Sequence, residues 1–294
     1  NFDKHALVAL GTDRHFSALF GVFVHQVHRG PGQGGLRYWK YDSVDDVLSD
    51  GLRLSKGMSQ KSALAGLWWG GGKGIVAYPD EPKTDIARTE LFQDYGTFVS
   101  SLNGTYYTAE DVGTVTQDMN DVFSSTRYVT CIDEYKGGSG NPSFYTAKGV
   151  VSCLDSLVSL KGKSLSVQGL GNVSQPMIDM LVEKGVDKIN VCEIDQVKID
   201  QVVNKHGDKI NVVDLEDIYG VPADVFVPNA LGGILNEKTI PQLKAKIVCG
   251  AANNQLFDPL EDNRRLREKN IDYIPDYVVN RMGIVNCSNE NYGR

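Results

Sequence analysis

Residues 164–195, SLSVQGLGNVSQPMIDMLVEKGVDKINVCEID, decide the fold. SLSVQ (164–168) reads as a strand, GLGNVS as a glycine turn, QPMIDMLVEKG as a helix and KINVCEID (188–195) as a second strand. Strand–helix–strand alternation implies a parallel sheet. In the turn, Gly169 permits the tight bend and Gly171 lets a pyrophosphate approach the backbone. The helix start offers unpaired N–H groups and a partial positive charge. Ser174 stands where a third glycine is usual and is small enough for close helix–strand packing. Glu193, 24 residues after Gly169, closes the second strand, with Asp195 beside it. A carboxylate there accepts hydrogen bonds from both ribose hydroxyls and repels a 2′-phosphate, which favours NAD over NADP. The competing reading is an ordinary tight turn with no ligand.

Outward from this unit, ADVFVPNA (223–230) and AKIVCGAANN (245–254) read as two more strands. Their ends place Asn229, Asn253 and Asn254 where ligands bind in such sheets. TAKGVVSCLDSLVSL (146–160) is a helix, and KGGSGNPS (136–143) is the most loop-like stretch. The domain boundary falls there, dividing residues 1–138 from 139–294. In the first part, ALFGVFVHQVH (18–28) reads as a strand and RGPGQGG (29–35) as a turn-rich piece. SVDDVLSDGLRLSKGM (43–58) is a helix with Ser43 as N-cap. GIVAYP (74–79) is a short strand ended by Pro79, and RTELFQDYGTFVSSL (88–102) an amphipathic helix. The fold class is therefore α/β in two domains, the second of Rossmann type.

The net charge of −7 argues against bulk nucleic-acid binding. No apolar run is long enough to span a membrane. The start, NFDKHALVAL, lacks a signal-peptide layout, and the missing initiator Met marks a trimmed or partial chain. The five cysteines are scattered without a CxxC pair, which reads as reduced thiols in a cytoplasmic protein rather than disulfides or a metal site. The N-x-S/T matches at Asn103, Asn172 and Asn286 are taken as chance.

GLWWGGGKGIV (66–76) resembles a phosphate loop only superficially, because Gly74 follows the lysine where Ser or Thr is needed. Lys73 is therefore placed for other chemistry, with glycines that let a substrate lie close to the backbone. GGLRYW (34–39), GMSQKSALAG (57–66) and TAEDVG (108–113) go with it.

These motifs resemble the glutamate/leucine/phenylalanine/valine dehydrogenase family, nearest its leucine and phenylalanine branch. The resemblance continues through SGNPS, TAKG, QGLGNV, ALGGILNEKTIPQLKAK, GAANNQL and PDYVVN. It implies an N-terminal α/β domain for substrate and oligomerisation, a C-terminal Rossmann domain and a cleft between them. It implies reversible oxidative deamination. Hydride passes from the Cα of an apolar or aromatic L-amino acid to NAD, and water releases a 2-oxo acid and ammonia.

By the same resemblance Lys61 binds the α-carboxylate. Lys73 polarises the carbonyl and activates water, and Asp111 shuttles the proton. Gln33, Gly34, Ala109, Asn253, Ile284 and Cys287 line the substrate site, with Leu67 and Ser62 as further contributors. Thr146, Asn172, Val173, Ala230 and Asn253 meet the cofactor together with the glycine turn. A homo-oligomer built through the first domain is also implied.

Other readings stand beside these. Lys61 fits a surface charge, and Asp111 fits the N-cap of the segment after it. Gln33 fits a solvated turn residue, and Trp68 and Trp69 fit core or subunit contacts. Gln33 stands where glutamate-specific members carry a lysine, which disfavours a glutamate-type enzyme. NRMGIVN (280–286) replaces the family's N-A-G-G, so that Arg281 and Met282 crowd the hinge. The family usually continues past the Tyr292–Arg294 end into helices that pack on the first domain. A non-catalytic NAD-binding protein on the same scaffold is the alternative from a different class.

Overall fold

The computed structural model describes residues 4–15, 17–78 and 84–292. The chain divides into two compact units, residues 1–142 with 284–294, and residues 143–283. That division, between 142 and 143, lies within the loop-like stretch 136–143. The end of the chain goes with the first unit rather than the second.

The first unit contains β1 (Leu7–Thr12), β2 (Leu19–Gln26), β3 (Gly32–Trp39), α1 (Val44–Leu64), β4 (Gly70–Ala77), α2 (Asp85–Ser101), β5 (Tyr106–Glu110) and α3 (Thr116–Ser125). Its sheet runs β1-β2-β4-β3-β5. β2 is antiparallel to β1 and β4, whereas β3 is parallel to β4 and β5. α1 starts where the sequence places it: Ser43 Oγ accepts from Asp46 N at 3.2 Å, with Asp45 and Asp46 in the first turn. The helix runs on to Leu64 across Gly51 and Gly57, with no proline to stop it. Thr84 caps α2 in the same way. Both sheet faces are covered. Phe23, Val47 and Ile75 pack on the α1 side. Phe20, Leu91, Phe92, Tyr95 and Tyr106 pack on the α2–α3 side. The strand read at 74–79 begins earlier, at Gly70, and Pro79 lies outside the described residues.

The expected turn-rich piece 29–35 is a turn only at its start, because Gly32–Gly35 already belong to β3. Packing explains glycine inside this strand. A Cβ on Gly34 would collide with the carbonyl oxygen of Gly72 on β4. β3 pairs with β4 at Gly32 and Gln33 and again from Leu36, so the regular register lapses beside Gly72 and Lys73.

The second unit contains α4 (Ser143–Leu157), β6 (Ser164–Gln168), α5 (Ser174–Glu183), β7 (Lys188–Cys192), α6 (Gln196–His206), β8 (Ile210–Val212), β9 (Val225–Pro228), β10 (Ile247–Val248), α7 (Glu261–Glu268), β11 (Asp272–Tyr273) and α8 (Asp276–Val279). α9 (Met282–Tyr292) begins here and passes into the first unit at Ile284. The sheet order is β8-β7-β6-β9-β10-β11, all parallel. That is the doubly wound order with the direction reversing between β6 and β9, where such sheets bind ligands. Neighbouring residues of β9 show why the strands are apolar throughout. Val225 and Val227 join the cluster with Leu165, Val167 and Leu181, while Phe226 joins Leu235, Val248 and Leu266 on the other face. Met282 seats against α4, where Gly149 leaves room for it. Among the described residues no helix is long and apolar enough to cross a membrane.

Candidate functional site

One face of the first sheet is built from alternate residues of three parallel strands. Gln33 pairs with Gly71 on one side and Tyr107 on the other, and Gly35 pairs with Ala109. Alternation then puts Trp69, Gly71 and Lys73 beside Gln33, Gly35 and Arg37, and beside Tyr107, Ala109 and Asp111. The face is graded. At one end Trp69 meets Tyr107 edge-on, with ring centroids 4.9 Å apart, and packs with Leu67 and Ile284. At the other end stand Lys73, Asp111 and Arg37.

Lys73 is 3% exposed and donates its Nζ hydrogen bond to Asp111 Oδ2. Arg37 Nε lies 3.8 Å from the same oxygen. Burial pushes the Lys73 ammonium below its usual proton affinity, against the pull of Asp111. Burial alone would raise the Asp111 carboxyl, but Lys73 and Arg37 outweigh it and hold it at about 2. This pair is a carboxylate kept ionised beside an amine made easier to deprotonate, which suits proton transfer. The N-cap reading of Asp111 does not hold. Val115 precedes α3, and its N–H bonds Asp118, while Asp111 N–H bonds Thr114 Oγ1 at 2.9 Å.

The surface reading of Lys61 also fails, since it is buried in the last turn of α1. α1 lies close on β4: Ser62 Oγ donates to Gly70 O at 3.4 Å, and a Cβ on Gly71 would collide with the Ser59 backbone. Gln33 is not a solvated turn residue. It is 1% exposed, and its Nε2 lies 3.4 Å from Thr130 Oγ1 while its Oε1 has no hydrogen-bond partner among the described residues. The two tryptophans separate. Trp69 is buried, whereas Trp68 is 71% exposed with the Arg29 guanidinium 5.6 Å over its ring. Ile284 joins the Leu67–Trp69 cluster, but Cys287 packs in the main core, its Sγ 3.0 Å from Cys131 Sγ. Ile284 thus stands at the aromatic end, and Cys287, one turn further along α9, packs in the cluster that also holds Ala109.

Sequence reasoning passed over Glu110, although it stands next to Asp111. Its Oε1 accepts from Asn141 Nδ2 at 2.9 Å and its Oε2 from Thr116 Oγ1 at 3.0 Å. Burial, helped by Asp118 and Asp111, raises its carboxyl to about 7, against the Thr116 hydrogen bond. A raised carboxyl means the folded state binds the proton more tightly than the unfolded chain, whose value is near 4.5. Stability from this group is therefore present at low pH and falls as pH rises through that window to about 7. Asp111 acts oppositely, losing stability as pH falls from 3.8 towards about 2, so the two windows do not overlap. Glu110→Gln is expected to flatten the fall in urea midpoint between about pH 5 and pH 7. An unchanged slope would remove Glu110 as its source.

In the second unit the glycine turn follows β6 at the reversal point. Gly169 has φ +94°, and a Cβ there would press on Ala230 after β9. A Cβ on Gly171 would meet nothing within 4 Å, so the backbone is open to a phosphate at the start of α5. Glu193 Oε2 accepts from Leu170 N at 2.7 Å and its Oε1 from Ile194 N at 2.8 Å, which ties the strand end to the turn. Oε1 also accepts from Asp195 N at 3.3 Å, which leaves Oε2 with a lone pair for a further donor. Asp195 caps α6, accepting from Val197 N at 3.0 Å, and also pairs with Lys198. Asn172 and Val173 lie in the turn before α5, and Thr146 lies on α4. Asn253 Oδ1 accepts from Asn280 Nδ2 at 2.9 Å, which orients its amide. The open turn, the helix start and the carboxylate fit a dinucleotide.

The second unit is thus of Rossmann type, and the first carries a buried lysine–aspartate pair. Residues 11–128 match the family model for the Glu/Leu/Phe/Val dehydrogenase dimerisation domain. Residues 180–292 match that for Glutamate/Leucine/Phenylalanine/Valine dehydrogenase. The leucine dehydrogenase of Geobacillus stearothermophilus is 43% identical over 279 residues, 92% of this chain and 74% of that protein. The phenylalanine dehydrogenase of Lysinibacillus sphaericus is 41% identical over 282 residues, 92% of this chain and 73% of that protein. The crystal structure of L-tryptophan dehydrogenase from Nostoc punctiforme superimposes with a TM-score of 0.74 at 34% identity, covering 99% of this chain and 83% of that one. The chain belongs to the glutamate/leucine/phenylalanine/valine dehydrogenase family. It is an amino-acid dehydrogenase, an oxidoreductase of oxidative deamination, in a family that uses a nicotinamide cofactor.

Proposed function

We propose that the chain catalyses the reversible, NAD-dependent oxidative deamination of an apolar or aromatic L-amino acid to its 2-oxo acid and ammonia. The observation that carries this reading is the graded face of the first unit. A buried, uncharged Gln33 and the Trp69–Tyr107 pair stand at one end and the Lys73–Asp111 pair at the other. An amino acid lying along that face puts its polar head by the lysine and its side chain among rings. A substrate carboxylate would find no cation at Gln33, which disfavours glutamate.

In this reading Lys61 holds the α-carboxylate. Lys73 polarises the substrate carbonyl and orients the water, and Asp111, held ionised, takes and returns the proton. Gly35 and Ala109 keep the floor low, Gly34 offers the substrate its backbone, and Ile284 flanks the aromatic end. NAD, when bound, supplies the acceptor for the hydride from Cα. The opened backbone at Gly171 and the turn residues Asn172 and Val173 take its pyrophosphate, with Ala230 closing the turn. Glu193, with Asp195 next to it, takes the ribose hydroxyls, which selects NAD. Thr146 and Asn253 orient the nicotinamide end. A homo-oligomer formed through the first unit is supported by the dimerisation-domain match, and a cytoplasmic location accords with five free cysteines.

The test is NADH formation by the purified chain with NAD and L-Leu, Val, Phe, Trp, Met or Glu. Turnover on apolar or aromatic members with Glu inactive is expected. Glu as the best substrate would overturn the side-chain assignment. NAD binding without turnover in either direction would replace the reaction with a binding role.

A further inference from the structure

The residues behind the Lys73–Asp111 pair alternate in charge. Arg37 lies on β3, and its Nη1 donates to Asp50 Oδ2 on α1 at 2.6 Å. Tyr41 OH donates to the same oxygen at 2.7 Å, and Arg53 Nη2 reaches Asp50 Oδ1 at 3.3 Å. From the exposed Arg53 inward the order is Arg53, Asp50, Arg37, Asp111, Lys73. Each carboxylate is shared by two cations. The Arg37 Nε–H has no hydrogen-bond acceptor among the described residues, yet the nitrogen is buried and lies 3.8 Å from Asp111 Oδ2. Buried donors are seldom left so. A small shift of Asp111 away from Lys73 would complete that bond.

Resting on the reaction proposed above, we propose that Arg37 is a positioning residue for that reaction. Anchored from behind by Asp50 and Tyr41, it offers Asp111 a second partner whenever Lys73 turns to the substrate. Asp111 then exchanges one cation for another and need not be left as a lone buried anion, which would be costly. Arg37 suits the task because its guanidinium keeps its charge and its fork spans two carboxylates at once. Lysine cannot span both.

The charges facing Lys73 come from three elements. Asp111 faces it from the end of β5, Arg37 from β3 and Asp50 from α1. Behind these, Arg53 and Tyr41 face Asp50, while Glu110 and Tyr106 face Asp111. Arg37 disfavours the proton on Lys73, and Asp50 favours it. The two neighbours therefore pull in opposite senses, a signature that loss of packing would not produce.

The test follows Lys73 itself by NMR of 13C-lysine-labelled protein, its signal identified by its loss in Lys73→Met. Arg37→Gln is expected to move the Lys73 titration up by about one pH unit, and Asp50→Asn to move it down. Arg37→Lys should restore the titration. The pH profile of kcat/KM should follow the same order, with kcat falling about tenfold or more in Arg37→Gln and partly recovering in Arg37→Lys. Titrations that coincide in all variants, or that move the same way in Arg37→Gln and Asp50→Asn, overturn the proposal. Opposite shifts in a wild type that turns over no amino acid would uphold the hold on Lys73 and overturn the proposed reaction instead.

Discussion

Lys73→Ala is expected to lower kcat/KM for amino-acid deamination by about a thousandfold or more, measured as initial rates of NADH formation. The magnitude follows from two roles lost together, the cation that polarises the carbonyl and the partner that orients Asp111. Lys73 is 3% exposed in the middle of β4, whose glycines hold α1 and β3 close, so no neighbouring side chain can swing into its place. The fold should survive. Asp111 keeps Arg37 within 3.8 Å, so the destabilisation should be smaller than the roughly 3–5 kcal/mol of a stranded buried charge. NAD binding, carried by the glycine turn of the other unit, should be unchanged. A rate within about tenfold of wild type in a folded protein would take Lys73 out of the chemistry.

Gly34→Ala is expected to cost the first unit about 3 kcal/mol or more, read as an earlier urea transition. The added methyl would drive into the Gly72 carbonyl oxygen, which is backbone held between two strands and cannot turn aside. The damage should also reach the site, because Gly72 adjoins Lys73 and Tyr106 OH donates to Gly34 O at 2.6 Å. Gly66→Ala is the contrast. Gly66 has φ +70° but nothing within 4 Å of an added Cβ, so the cost there should be about 1–2 kcal/mol of backbone strain alone. Equal losses at the two positions would mean that packing at Gly34 is not the cause.

Local patterns made much of this legible. Ser43 is read as an N-cap from its type and place, and it caps α1. GLGNVS after SLSVQ is read as a glycine turn between a strand and a helix, and it joins β6 to α5. Both depend on residues close in the chain. Legibility fails where the cause is distant in sequence. Gln33 reads as a turn residue because its glycine and proline neighbours normally mark turns, yet Gly71 and Tyr107 pair with it on either side. Strand β10 shrinks to Ile247–Val248, since the apolar run AKIVCGAANN does not reveal how far its neighbours extend. Arg37 and Asp50 carried no signal, being one charge in a strand and another on a helix.

The sequence by itself determined the α/β class, the parallel second sheet, the glycine turn with Glu193 at the end of the next strand, and Lys73 as a lysine unfit for a phosphate loop. Those follow from periodicity and from what glycine, serine and carboxylate do locally. The tertiary structure alone decided that Asp111 meets Lys73, that Arg37 and Asp50 stand behind them, that Gln33 is buried, and that Ile284 joins Leu67 and Trp69. Each of these depends on strand register and helix seating, which bring together residues tens of positions or more apart, and no local preference encodes such distances.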